Sequence, residues 1–304
     1  MKRKKIINKL KKVLFDKDYR FLFMSGFGLF NSMSDEEYLK RKYHALMGYE
    51  LNLNNPQTFN EKLQWLKLYN RQPEYTMMVD KYLVRQYISD KLGEEYLIPI
   101  IGVWDNPDEI DFEKLPNKFV LKCNHNSGLG MCICKDKTKL NIRKVKKELK
   151  KGLKQDYYMA HREWPYKDVP RKIVAEKYMV EKNSTELKDY KLMCFNGKVK
   201  CSFVCSDRFS DEGIKVTFFD INWNVMPFER HYPKSDETIT KPVNYEKMIE
   251  FAEILSKGIP FLRVDFYEIE GKLYFGELTF FPGSGFEEFT PEQVDYDIGK
   301  LINL

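Results

Sequence analysis

The hydrophobic pattern of this 304-residue chain changes character once, near residue 97, and that change limits its fold more than any other feature. Upstream the pattern is helical. Ser34-Asp35-Glu36-Glu37 reads as a helix start, and Thr58-Phe59-Asn60-Glu61 resembles a capping box ahead of Leu63, Leu66 and Leu68. A further helix is expected over 79–92, stopped by Gly93. After Leu97-Ile98-Pro99-Ile100-Ile101, apolar residues fall in short β-branched and aromatic runs separated by turn signals. Strands are expected over 119–123, 131–134, 172–176, 190–195 and 199–205, the last two joined by the hairpin signal Asn196-Gly197. A lysine-dense helix over 142–153, a helix over 245–257, a hairpin of 261–269 with 273–280 and a short helix near 297–302 complete the pattern. The expected class is mixed α+β with antiparallel hairpins, without internal repeats.

Composition removes several function classes. With 22 Phe, 19 Tyr and 4 Trp the chain carries too many aromatics for a solvated coil. No uninterrupted apolar run reaches the ~20 residues of a membrane-spanning helix. The six cysteines lack zinc-type CxxC spacing, and Cys132, Cys134, Cys201 and Cys205 lie in apolar strand-like stretches where a buried thiol is expected, as in a reducing cytoplasm. The net charge of +6 is a property of one end: residues 1–20 hold nine Lys or Arg and two Asp, which is +7, so the other 284 residues sum to −1. A basic tail on a neutral body is not a nucleic-acid groove, and no nucleic-acid partner is expected.

Within that tail, Ile6, Ile7, Leu10, Val13 and Leu14 form one helical stripe beside Lys5, Lys9, Lys11 and Lys12. Such a helix can lie on an anionic membrane surface through residues 2–20, or pack on its own domain. The apolar stretch 21–30 is half a membrane span, and Ser32-Met33-Ser34-Asp35-Glu36 supplies no convincing signal-cleavage site. The expected location is the cytoplasm, with peripheral contact at the inner face of the membrane.

Chemistry is most legible in the last hairpin. If its turn is Glu270-Gly271-Lys272, Asp265 lies opposite Glu277, and Arg263, Asp265, Glu277 and Thr279 share one face, while Leu262, Val264, Phe266 and Phe275 belong to the core. Converging carboxylates suit Mg²⁺, with water and phosphate completing its shell. The competing reading is a solvated face on which Arg263 neutralises Asp265. A second feature is Lys122-Cys123-Asn124-His125-Asn126-Ser127-Gly128-Leu129-Gly130, where glycines admit backbone N–H groups to phosphate oxygens. Its strand–loop–strand setting excludes a Walker loop or a Rossmann turn, which need a helix after the glycines. A third is Ile173-Val174-Ala175-Glu176-Lys177-Tyr178-Met179, followed by Asp189-Tyr190-Lys191 and Asp207-Arg208. No nucleophile elbow or Cys/His pairing stands out.

In order, these features resemble the ATP-grasp superfamily. Thr58-Phe59-Asn60-Glu61-Lys62-Leu63-Gln64-Trp65, Phe119-Val120-Leu121-Lys122-Cys123-Asn124-His125, Asp189-Tyr190-Lys191 and Gly276-Glu277-Leu278-Thr279-Phe280-Phe281-Pro282-Gly283-Ser284-Gly285 look like its TupA-like branch, over about residues 40–304. Members of that branch are associated with bacterial surface polysaccharides. The resemblance implies two α+β lobes with antiparallel sheets clamping ATP, preceded by an N-terminal segment over 1–33 and a helical region over 34–100. The lobes themselves would lie within 101–304, at about 115–175 and 176–304.

It also implies roles. Lys122, His125, Ser127, Gly128 and Gly130 would border phosphates. Glu176, Lys177 and Met179 would border adenine, with Glu181 toward ribose. Lys191, Arg208 and Arg263 would face the transferred phosphoryl group, and Asp265, Glu277 and Thr279 would hold Mg²⁺. Thr279 departs from the asparagine common there, and residues 282–286 would shape the acceptor end. The implied activity is an ADP-forming carboxylate–amine ligase joining a small amine donor to a uronic acid or similar group of a polysaccharide or lipid-linked glycan acceptor. A glycosyltransferase, a kinase and a non-enzymatic assembly factor are the alternatives.

Overall fold

The computed structural model describes residues 9, 11–181, 187–206 and 213–304. Ile6, Ile7 and Leu10 of the basic stripe, and Arg208, lie outside the described residues.

Helices open the chain. α1 (Lys17–Ser25) starts where Asp16 accepts from the N–H groups of Asp18 and Tyr19. α2 (Asp35–Met47) is capped by Ser34 and ends at Gly48 in the left-handed region, φ +83°. α3 (Phe59–Tyr69) carries the complete capping box of Thr58 and Glu61. A separate α4 (Glu74–Val79) stops at extended Asp80, and the helix expected over 79–92 starts later, as α5 (Val84–Leu92). Asp80 Oδ1 accepts from the N–H groups of Tyr82 and Leu83 at 2.8 and 3.2 Å, a local bond that competes with helix continuation.

Two antiparallel sheets follow. The first holds β1 (Ile100–Trp104), β2 (Phe119–Cys123), β3 (Met131–Cys134) and β4 (Ile173–Lys177) in the order β1-β4-β2-β3. α6 (Ile142–Lys154) buries Val145, Leu149 and Gly152, a 4-3 spacing that keeps its lysines outward. A short α7 (Tyr157–His161) then leads back toward α2 and α3. The core of this part joins Phe119, Leu121, Ile173 and Ala175 to Val145 and Leu149.

The second sheet contains β5 (Asp189–Phe195), β6 (Lys198–Ser206), β7 (Lys215–Asp220), β9 (Phe261–Ile269) and β10 (Lys272–Thr279), ordered β10-β9-β5-β6-β7. β7 escaped the sequence reading. Asn196 and Gly197 both adopt positive φ (+49° and +78°), as a two-residue hairpin requires. α8 (Tyr245–Ser256) packs on this sheet through Met248, Ala252 and Leu255. Short strands β8 (Glu229–Arg230) and β11 (Phe289–Thr290) pair beside it. The final helix, α9 (Gln293–Gly299), begins four residues earlier than expected.

Phe59 binds the helical region to this sheet. Its ring lies 4.9 Å from Phe261 and 6.1 Å from Phe195 and Phe289, centroid to centroid. Burying such a side chain contributes ~2–3 kcal/mol.

Candidate functional site

A cleft of about 460 Å³ lies between the two sheets, and residues of α5, β2, β3, β4, β5, β9 and β10 contribute to its walls. β2 brings Lys122, whose ammonium pairs with Glu176 of β4 at 2.6 Å. Val120 faces Glu176 in the β2–β4 register, so Lys122 is its diagonal neighbour on the same face. The loop after β2 supplies Ser127 and Gly128, and the chain leaving β4 supplies Lys177, Tyr178, Met179 and Val180. The connection between α4 and α5 brings Lys81, which donates to the Asn126 carbonyl at 2.6 Å. Burial pushes the Lys81 pKa down, partly offset by Glu277 and Glu176.

The floor is built by β5, β9 and β10. Lys191 and Asp265 face each other in register and form an ion pair, with Asp189 3.4 Å from the same ammonium. Arg263 reaches Asp265 with two nitrogens, each at 2.7 Å, and extends to Glu277 Oε1 at 2.8 Å. Thr279 Oγ1 donates to that same oxygen at 3.4 Å. The expected shared face of Arg263, Asp265, Glu277 and Thr279 therefore exists, but it is reached differently.

The turn is the two-residue Glu270-Gly271, with φ of +51° and +74°, so Phe275 pairs with Phe266 on the core side. The register then shifts between Phe275 and Leu278, which sets Gly276 and Glu277 together opposite Asp265. Gly276 suits the bulge because a Cβ there would lie 2.9 Å from the Asp265 carbonyl oxygen. The sequence alone suggests the three-residue turn Glu270-Gly271-Lys272; with the shorter turn, the bulge restores the same relation between Asp265 and Glu277.

Electrostatics follow from the crowding. Burial alone would raise the Glu277 pKa, but Arg263, Lys191, Lys81 and Lys122 outweigh it and hold the carboxyl at about 2. Burial disfavours the Lys191 ammonium, yet Asp265 and Asp189 keep its pKa above the usual value. Asp265, Glu277 and Thr279 are hard oxygen donors of the kind a divalent cation takes. No three of His, Cys, Asp and Glu among the described residues are close enough to hold a metal by themselves. Arg263 and Lys191 already contact both Asp265 oxygens, and Arg263 one of Glu277. The three donors therefore fit a cation once those contacts are displaced, with its remaining ligands drawn from water or bound phosphate.

Other residues of the sequence reading lie off the cleft wall. His125 is buried against α6, its Nε2 3.2 Å from the Gln155 carbonyl, and burial lowers its pKa. Gly130 serves packing: a Cβ there would sit 2.7 Å from Cys123 Sγ and 2.9 Å from Gly152 Cα. Glu181 is exposed and Arg263 stands behind the carboxylates, while Arg208 is outside the described residues. Sequence reasoning missed Lys81 and Arg85, which line the cleft from the helical region. Their one signal is Asp80, a breaker inside an otherwise helical stretch.

Two antiparallel sheets facing across a cleft lined by lysines, with carboxylates on its floor, define an α+β clamp suited to a polyanionic ligand. The chain belongs to the TupA-like ATP-grasp family, whose model matches residues 61–303. The resemblance carried by the motifs is thus borne out.

No curated protein sequence matches the chain. Among solved structures, it is similar to the D-alanine–D-alanine ligase of Helicobacter pylori at 14% identity and a TM-score of 0.43, over 82% of this chain and 70% of that one. The D-alanine–D-alanine ligase of Bacillus anthracis complexed with ATP is similar at 17% identity and a TM-score of 0.40, over 67% of this chain. The match spans about half of that ligase, 53% of its length. The N5-carboxyaminoimidazole synthase of Aspergillus clavatus is similar at 14% identity and a TM-score of 0.38, over 67% of this chain and 44% of that one.

Proposed function

We propose that the protein is an ATP-dependent carboxylate–amine ligase working through an acyl-phosphate. The supporting observation is the convergence in one cleft of Lys81, Lys122 and Lys191, from three separate elements, on Asp265 and Glu277. Lys81 and Lys122, next to the Ser127–Gly128 loop, face the phosphate chain. The exit of β4, with Glu176, Lys177 and Met179, borders the adenine. Lys191 faces the transferred group, while Arg263 holds Asp265 and Glu277 from behind. Asp265, Glu277 and Thr279 would hold Mg²⁺, which when bound neutralises phosphate charge.

In the first step an acceptor carboxylate oxygen attacks the γ-phosphorus and the bond to ADP breaks. In the second, an amine nitrogen attacks the acyl carbon, phosphate leaves with the bonding pair, and the amine loses a proton. The chain's contribution is alignment and charge neutralisation rather than a nucleophile. The acceptor we infer is a uronic acid or similar carboxylate of a surface glycan, free or lipid-linked, and the second substrate a small amine.

A thermal-shift panel tests this reading with ATP, with and without Mg²⁺, and with nucleotide sugars. Stabilisation by ATP with Mg²⁺, lost in Glu277→Gln, is expected, and ADP formation should depend on a carboxylate acceptor. Stabilisation by nucleotide sugars alone would overturn the proposal in favour of glycosyl transfer. Phosphorylation of a hydroxyl acceptor would make the protein a kinase.

A further inference from the structure

The exposed apolar side chains are unevenly spread. Every phenylalanine exposed among the described residues lies between positions 15 and 27: Phe15 at 85% exposure, Phe23 at 45% and Phe27 at 70%. Leu14 and Leu29 beside them are 66% and 59% exposed. A folded chain leaves isolated apolar side chains in water without consequence, but clustered rings mark a contact surface.

The segment that carries them is held in place. Phe21 is the inward anchor of α1, 1% exposed, with its ring 4.8 Å from Phe30, 5.7 Å from Tyr38 and 4.5 Å from the Arg41 guanidinium. Phe23, two residues on, faces out and meets Phe27 edge to face at 5.1 Å. Residues 11–15 are helical, and Arg20 fastens them to α1 by donating to the carbonyls of Val13 and Leu14 at 3.3 and 2.9 Å. Phe15 and Leu14 are therefore presented by a fixed corner.

Charge decides what this corner fits. The rings sit within and just after the twenty residues that hold nine Lys or Arg against two Asp, in a chain whose remainder is −1. Exposed rings next to a dense cationic segment match a surface that is apolar just below a layer of negative charge, which is the interface of an anionic bilayer. A neutral protein groove would complement the rings alone. No helix among the described residues is long and apolar enough to cross a membrane, so contact is at the surface.

We propose that Phe15, Phe23 and Phe27, with Leu14 and Leu29, are the lipid-inserting face of a peripheral docking site for anionic membranes, and that the exposed Lys9, Lys11, Lys12 and Lys17 beside them bind its headgroups. This site is separate from the cleft, so it stands or falls independently of the ligase reading.

Vesicle flotation of the full chain tests it. Phosphatidylcholine vesicles containing phosphatidylglycerol should bind at least about tenfold tighter than phosphatidylcholine alone, and the preference should fade as salt shortens electrostatic reach. The variant combining Phe15→Ser, Phe23→Ser and Phe27→Ser should lose roughly tenfold or more of that binding while melting at the wild-type temperature. A second variant, Lys11→Glu with Lys12→Glu, should bind neutral and anionic vesicles alike. Equal binding of both vesicle types by the wild type, or undiminished binding by the ring variant, would overturn the proposal. Concentration-dependent self-association that the ring variant abolishes, without vesicle binding, would assign the face to a second copy of the chain and equally overturn it.

Discussion

His161 ends α7 with its ring 5.8 Å from Phe286 and close to the ammonium groups of Lys42 and Lys67. Burial first, and then those two cations, push its pKa from 6.5 to about 3. The unfolded chain takes up a proton at this histidine below about pH 6.5, whereas the folded chain resists until about 3. Its neutral form is therefore compatible with full stability above pH 6.5, and stability is lost as pH falls from there toward 3. His161→Asn should remove that component. Urea unfolding at about pH 7.5 and about pH 4.5 should show the wild type losing ground to the variant at the lower value. A gap that does not change with pH would refute the assignment.

The same neighbourhood shows what single residues conceal. Gln64 and Lys67 are polar residues of the capped helix α3, yet both are fully buried. Lys67 donates to Gln64 Oε1, the His161 carbonyl and the Ser284 carbonyl at 2.9, 3.1 and 2.7 Å, and burial takes its pKa down to about 7. Periodicity reports which face is apolar; it does not report that a polar face has been covered by a loop 220 positions away.

Among the elements, those with strong local chemistry were legible. The capping box at Thr58 forms as read, because the side chains of Thr58 and Glu61 satisfy each other's backbone N–H groups whatever packs around them. Thr58 is also buried, so Thr58→Ala should cost about 1–2 kcal/mol in urea unfolding, and wild-type stability would show that tertiary packing alone sets this helix start.

The closing hairpin was legible in its strands and shared face, but not in its register. A one-residue difference in turn length is invisible to alternation, and a bulge compensates for it. Gly276→Ala puts a methyl group against the Asp265 carbonyl. The strand must then shift beside Glu277, so stabilisation by ATP with Mg²⁺ should fall sharply, at a stability cost of ~1–3 kcal/mol. Retained nucleotide stabilisation would show that the bulge is not needed to aim Glu277. β7 lacks a turn signal comparable to Asn196-Gly197, and α7, although Asp156 caps it, is only five residues long and so shows no helical periodicity.

At the scale of the molecule, Asn124 joins three parts that the sequence lists far apart. Its side chain, fully buried, donates to Asp80 Oδ1 at 2.9 Å and to the Pro170 carbonyl at 2.8 Å, and accepts from Lys172 N–H at 2.7 Å. Its backbone carbonyl accepts from Lys81 N–H at 3.3 Å. One side chain thus ties the helical region, the glycine-bearing loop and the start of β4 together, at the edge of the cleft where Lys81 and Lys122 stand. Asn124→Ala takes their partner from the part-buried Pro170 carbonyl and Lys172 N–H, a loss of about 1–3 kcal/mol. More tellingly, amide exchange should accelerate together in residues 80–84 and in 124–130, because each segment holds the other in place through this residue. Stabilisation by ATP with Mg²⁺ should weaken in parallel, since Lys81 reaches the cleft only while Asp80 is held. If exchange accelerated in the loop alone, the helical region would be independent of the clamp, and Lys81 would owe its position to α5 rather than to Asn124.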